Sequence, residues 1–303
     1  MTPGSAPIPR FHRLSYVLWL LAIPTGAATP TAPGKAPHVA APAISIDHIP
    51  VAVMDLDAAA NTYRRLGFVI KPGRTHADGI RNQHVKFPDG AGIELIATPT
   101  ATDALTQRYR KLLSQGDGPA YVSFHTASIA ALAERLNTLG EPYSLESPGM
   151  LEFQNPDLQW LFFFAGSNRS PTDRPEHFAH TNTTNATIAV WIAGGDQLRM
   201  LSVFRVLGAR IDHKRVNVPD PVLATVATVA NGAVVFLGSD HQLTPGRHIV
   251  GVTFRTTDIT TVRRVLPPAV LARTVAFEDT THRSLFVSPL DALGMWLEFQ
   301  QSR

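Results

Sequence analysis

The most regular feature of the chain is a recurring alternation of apolar and polar positions. Residues 46 to 54 (IDHIPVAVM) form a short apolar run, and Asp55-Leu56-Asp57 then supplies a helix-start signal with an acid in the first turn. An amphipathic stretch follows to Leu66 and stops at Gly67, where a missing Cβ suits the left-handed backbone that ends many helices. Three strand-like runs come next, near Phe68 to Pro72, Asn82 to Phe87 and Gly92 to Ala97. The last two are joined by Pro88-Asp89-Gly90, a hairpin signal. The pattern predicts a βαβββ unit.

The order recurs. Residues 120 to 127 read as a strand, Ser128 to Leu139 as a helix ending at Gly140, and Trp160 to Phe164 as a closing strand. A third copy opens with TIAVWIAGGD at Thr187, ends its helix at Gly208 and closes with VVFLG. The fourth opens at His248, has a shorter helix ending before Pro267-Pro268, and closes with MWLEFQ at 295 to 300. Modules are therefore expected at 44–98, 119–166, 186–239 and 247–300, with 99–118 and 167–185 as linkers. One such unit leaves a sheet face uncovered. The expected fold is α+β, with four βαβββ modules pairing edge to edge into curved eight-stranded sheets, or cups, and helices outside.

Strand alternation assigns faces within the first module. Ile93 and Leu95 belong under the helix, which turns Glu94 into the cup; Val85 and Phe87 likewise leave Asn82 and His84 pointing with Glu94. A carboxylate and imidazoles converging in a concave site suit a divalent ion such as Zn, Ni, Mn or Fe. Arg81-Asn82 could recognise an anionic group through a bidentate guanidinium.

The N-terminus changes the setting. Arg10 and Arg13 precede an apolar stretch from Leu14 to Ile23, then Pro24, Gly26, Ala27 and Ala28, the three-part pattern of a signal peptide at residues 1–28. About ten apolar residues are too few for a permanent membrane anchor. The expected protein is exported, periplasmic or secreted, with a Pro/Ala-rich spacer at 29–43. Among 303 residues, 27 Lys+Arg face 24 Asp+Glu, so nucleic acid is a poor partner. There is no Cys, which removes disulfides, zinc ribbons and a thiol nucleophile. The absence of Gly-x-Ser-x-Gly, His-Glu-x-x-His, Walker and Gly-x-Gly-x-x-Gly patterns disfavours serine hydrolases, zincins, NTPases and Rossmann dehydrogenases.

The stretch DHIPVAVMDLDAAANTYRRLGF, with GIRNQHVKFPDGAGIELI after it, resembles the glyoxalase-like branch of the vicinal oxygen chelate superfamily. The resemblance implies a divalent metal in the cup, bound by His or Gln from first strands and Glu from fourth strands of paired modules. Carried over, these positions are His48 and Glu94. Using the helix-ending Gly and the Asp55-to-Asp258 match as register, His48 corresponds to Tyr121, Ala189 and Gly251. Glu94 corresponds to an apolar stretch in module two, to Val235 or Phe236 in module three and to Glu298 in module four. A third metal ligand then comes from Glu298 if modules one and four share a cup, which is the favoured pairing, or from His125 or Tyr121 if modules one and two do. His84 is the substitute ligand or proton carrier, and Arg81, Asn82, His125 and Tyr121 are the candidate substrate contacts. Two activities follow: a metal-dependent lyase, isomerase or dioxygenase-like enzyme acting on a small oxygen-bearing molecule, with Glu298 moving the proton, or a metal-free protein that binds and sequesters such a molecule.

Overall fold

Each repeat starts from the same local device, a strand followed by a helix whose exposed amides are capped. The computed structural model describes residues 44–146, 149–166 and 169–303; the expected signal peptide and spacer lie outside the described residues. With elements numbered in chain order, module one is β1 (Ile44–Ala52), α1 (Leu56–Arg65), β2 (Lys71–Thr75), β3 (Arg81–Lys86) and β4 (Gly92–Ala97). A helix α2 (Ala104–Leu113) and a short β5 (Gly118–Pro119) lead to module two: β6 (Val122–Thr126), α3 (Ile129–Leu139), β7 (Tyr143–Glu146), β8 (Met150–Phe153) and β9 (Leu161–Ala165). Module three is β10 (Thr184–Ala193), α4 (Gln197–Val206), β11 (Arg210–Asn217), β12 (Pro221–Val229) and β13 (Gly232–Leu237). Module four is β14 (Ile249–Thr256), α5 (Ile259–Val265), α6 (Pro268–Leu271), β15 (Val275–Glu278), β16 (His282–Val287) and β17 (Trp296–Ser302).

The side chains of Asp55, Ser128, Asp196 and Asp258 cap α1, α3, α4 and α5 by accepting backbone N–H bonds of the first turn. Gly67, Gly140 and Gly208 follow three of these helices at φ of 88°, 70° and 88°, the left-handed values that their position after a helix demands. In module four α5 stops before Pro267, and Pro268 opens a separate turn of helix.

Modules one and two form one curved sheet, ordered β2-β3-β4-β1-β6-β9-β8-β7, with β5 paired to β1 beside this path; modules three and four form the other, ordered β11-β12-β13-β10-β14-β17-β16-β15. The seam of each is an antiparallel pairing of first strands, β1 with β6 and β10 with β14. This corrects the favoured pairing of modules one and four. The reason is connectivity: consecutive elements joined by a short link settle beside each other. That link, residues 99–118, carries structure of its own. Asp103 and Thr106 form a reciprocal capping box that starts α2, and its Tyr109 and Leu113 are buried. Among the described residues no helix is long and apolar enough to cross a membrane.

The helix-covered faces of both sheets share one apolar cluster. Phe68, just after α1, packs within 5.3 Å (ring centroids) of Phe254 and within 5.8 Å of Phe299, joining module one to module four. Arg247 is 4% exposed and donates to the carbonyls of Leu112, Gly116 and Pro119, placing a cation at the C-terminal end of α2. Ala230 N–H donates to the Ile44 carbonyl and Asn231 bonds both backbone groups of Ile46, so the start of β1 is held by the β12–β13 turn.

A second cluster fills the cup of modules three and four. Trp191, Val226, Val235 and Phe286 are buried there. The indole lies over Gly251, where any Cβ would collide with it, and its Nε1 donates to Thr253 Oγ1 at 2.9 Å. This cup is occupied by its own side chains. Trp191→Ala should therefore cost about 3–5 kcal/mol in urea denaturation. Truncating exposed Leu198 should change stability by less than about 0.5 kcal/mol.

Candidate functional site

The helix caps provide a structural register for the four modules. Seven residues before each cap stand His48, Tyr121, Ala189 and Gly251. Five residues before it stand Pro50, Ser123, Trp191 and Thr253, and their fourth-strand partners are Glu94, Phe162, Val235 and Glu298. The first cup thus combines His48 and Glu94 with Tyr121 and Phe162. The second combines Ala189, Val235 and Gly251 with Glu298.

In the first cup, His48 Nε2 lies 3.0 Å from Glu94 Oε2, and its Nδ1 lies 3.2 Å from Asp47 Oδ1. Simple alternation would send Asp47 and His48 to opposite faces. A bulge in the β1–β6 register between Ile46 and His48 turns both toward the same cavity. Asn82, on β3, donates to Glu94 Oε1 at 2.6 Å and lies 3.1 Å from His76 Nε2, while its Oδ1 accepts from Arg74 N–H at 2.9 Å. Gly73 permits this crossing, since a Cβ there would strike the Asn82 carbonyl. His84 sits opposite Glu94 in the strand register. Ser123 Oγ is 3.4 Å from His48 Nε2 across the seam.

These residues open into a cavity of about 990 Å³ lined on module one's side by Lys71, Arg74, His76, Asn82, His84 and Lys86, and roofed by residues 169–174 and His177. Lys71 is buried and ion-paired with Asp173, which ties that crossing segment to β2. Module two's half of the cup is filled: Tyr121 packs against Tyr109 of α2 at 5.1 Å and Phe162 at 4.8 Å, and all three rings are buried.

Not every expected residue reaches the cavity. His48, Glu94, Asn82 and His84 line it. Arg81 is exposed and lies outside it. His125 bonds the Gly166 carbonyl at 2.6 Å, and Tyr121 is enclosed by aromatic neighbours. Glu298 belongs to the other sheet, where it accepts from Thr253 Oγ1 at 2.7 Å, Ser284 Oγ at 2.5 Å and Gln300 Nε2 at 3.2 Å. Asp47, Lys71, Arg74, His76 and the 169–174 crossing were not picked out from the sequence. Only the acidic neighbour of His48 left a local trace there.

Burial opposes charge on His48, but hydrogen bonds to Asp47 and Glu94, with both carboxylate charges, push it up to about 10. Burial would likewise raise Glu94; the His48 hydrogen bond and charge hold it down at about 2. His84 is kept near 4 by burial against the pull of Glu94, and so is a neutral imidazole at pH 7.

A family model for a glyoxalase-like domain matches residues 46–225, well over half of the chain. The protein belongs to the glyoxalase-like branch of the vicinal oxygen chelate superfamily. Among curated proteins none matches it. Similar solved structures include a xylose isomerase-like TIM barrel/4-hydroxyphenylpyruvate dioxygenase fusion protein, with TM-score 0.60 and 13% identity over 90% of this chain and 51% of that one. A mutant of 4-hydroxymandelate synthase from Streptomyces coelicolor has TM-score 0.58 and 12% identity over 85% and 92%. A catechol 2,3-dioxygenase has TM-score 0.56 and 14% identity over 85% and 88%. The glyoxalase-like chain spans about half the length of the first of these, and at such identities the likeness shows the fold alone.

The donor set of this glyoxalase-like cup does not fit the three-ligand metal site that the resemblance implies. His48 and Glu94 are present, but the matching positions of module two hold Tyr121 and Phe162. Among the described residues no group of three or more His, Cys, Asp or Glu comes together that could hold a metal ion.

Two pH effects follow. The ion pair's stabilisation is complete between about pH 4.5 and 6.5, falls as acid approaches the Glu94 value of about 2, and falls again as pH rises through the His48 value of about 10. NMR titration should show His48 titrating near 10 and lowered in Glu94→Gln. Glu298 behaves in the opposite sense, because burial raises it. Its position is most stabilising when protonated and loses stability as pH rises above the ordinary carboxylate range. Glu298→Gln should then match or exceed the parent in Tm at pH 7, whereas Glu298→Ala should lower it.

Proposed function

We propose that the first cup is a metal-free binding site for a small oxygen-bearing organic molecule. The observation that carries this reading is the His48–Glu94 pair, 3.0 Å apart at the base of a cavity of about 990 Å³. That volume lies at the upper end of the range for small-molecule pockets. Both ring N–H groups of His48 are spent on Asp47 and Glu94, so the pair presents the remaining acceptor capacity of Glu94, and neutral His84 adds a group able to donate or accept. A hydroxyl or carbonyl oxygen of the ligand is matched by these groups.

The charge state of the pair supports recognition over proton transfer. General acids and bases work best with pKa values near the working pH. His48 at about 10 and Glu94 at about 2 are held far from it on either side. The address pattern of residues 1 to 28 supports an exported setting for this binding protein.

The test is NMR of the EDTA-stripped full-length protein with hydroxyacetone and glycolate as fragments. Addition should move the His48 and His84 ring resonances without any metal, and His48→Gln should abolish the response to both fragments. If the rings respond only after Zn, Ni, Mn or Fe(II) is loaded at about one equivalent, the metal-free reading is overturned.

A further inference from the structure

The cavity carries a second kind of group, used by nothing described so far. Besides His48 and Glu94 it is lined by the cationic residues Lys71, Arg74, Lys86, Arg169 and Arg174. The negative side chains nearby are already engaged. Glu94 and Asp47 bond His48, and Asp173 is paired with Lys71. Arg74 is exposed and makes no ion pair among the described residues, while the Lys86 ammonium is held only by the Gly90 carbonyl. Arg174 touches Glu176 only at 4.0 Å, with both side chains mostly exposed, a contact that neutralises little.

Arg74 and Arg174 come from separate parts of the cavity wall. Arg74 sits on β2, held in place where its own backbone N–H bonds Asn82, and Arg174 sits on the crossing segment. The Lys71–Asp173 pair fixes these two parts to each other. Two exposed guanidiniums with unused donors, lining one partly enclosed polar cavity, form a receptor for a planar or tetrahedral anion. We infer that the ligand of the first cup is a small organic anion with a carboxylate or phosphate group, oriented with that group at Arg74 and Arg174 and its hydroxyl or carbonyl oxygen at His48 and Glu94. This rests on the binding reading above, and adds to it a charge class and a direction.

The experiment compares three small ligands against the EDTA-stripped full chain by calorimetry and by the His48 ring resonance: neutral hydroxyacetone, the monoanion glycolate, and hydroxyacetone phosphate. Affinity should rise in that order and fall with added potassium chloride. Arg74→Ala and Arg174→Ala should each weaken hydroxyacetone phosphate by about tenfold, leaving hydroxyacetone within twofold. Arg210→Ala, on an exposed edge strand away from the cavity, should change neither. Both arginines are exposed, so thermal melting should show the variants folded. Equal affinity for the neutral and anionic ligands, no saturable binding of hydroxyacetone phosphate at millimolar concentration, or insensitivity to both arginine substitutions overturns the inference. Failure of the binding reading itself looks different: anions would still bind and still depend on Arg74 and Arg174, but His48→Gln would have no effect on them.

Discussion

The antiparallel pairing of first strands governs most of what this molecule is. A βαβββ unit covers one face of its sheet with its own helix but leaves the backbone of its first strand unpaired along one edge, and buried unpaired amides are costly. Joining β1 to β6 satisfies that edge and curves two four-stranded halves into a cup. It also sets the chemistry at the seam, because His48 then faces Ser123 across the join. The bulge beside His48 is a local irregularity of this same pairing, and it brings Asp47 onto the imidazole. Had the seam been regular, His48 would lack one of its two carboxylate partners.

The repeat was legible in the sequence because its signals are local. Caps at Asp55, Asp196 and Asp258, helix-ending glycines, and the alternation that turns Glu94 inward each depend on a few neighbouring residues. The partner of each module was not legible in that way. Glu298 occupies the position equivalent to Glu94, which suggested that modules one and four meet, but a shared residue type reports common origin and not contact. Chain connectivity decided the pairing. The helical character of residues 104–113 was hidden by the polar composition around it, and with it the role of Tyr109 in filling half of the first cup. Asp47 escaped because a bulge breaks the period on which face assignments rest, and the 169–174 crossing escaped because a tertiary ion pair, Lys71 with Asp173, positions it.

The two cups show how one scaffold takes opposite fates. Where the first keeps polar side chains at His48 and Glu94, the second has small or apolar ones at Ala189, Val235 and Gly251. The bare backbone at Gly251 leaves room for Trp191, whose indole donates to Thr253, which in turn donates to Glu298. Glu298 is the charged group of that cup, satisfied by Ser284, Thr253 and Gln300. Within the first cup the same division runs between its halves. Module one supplies charge and imidazoles, and module two supplies a wall of rings.

The backbone of β1 also gives the molecule a direction in time. Ile44 and Ile46 complete their hydrogen bonds with Ala230 and Asn231, and the carbonyls around the end of α2 are satisfied by Arg247. A ribosome delivers those partners only after both modules of the first cup have long been made. The first cup must therefore wait, with its central strand partly unfinished, for a half whose own cup is filled by Trp191, Val226, Val235 and Phe286. The second half of the molecule is in this sense a late-arriving clasp, acting on the first through backbone hydrogen bonds and the volume of its shared core.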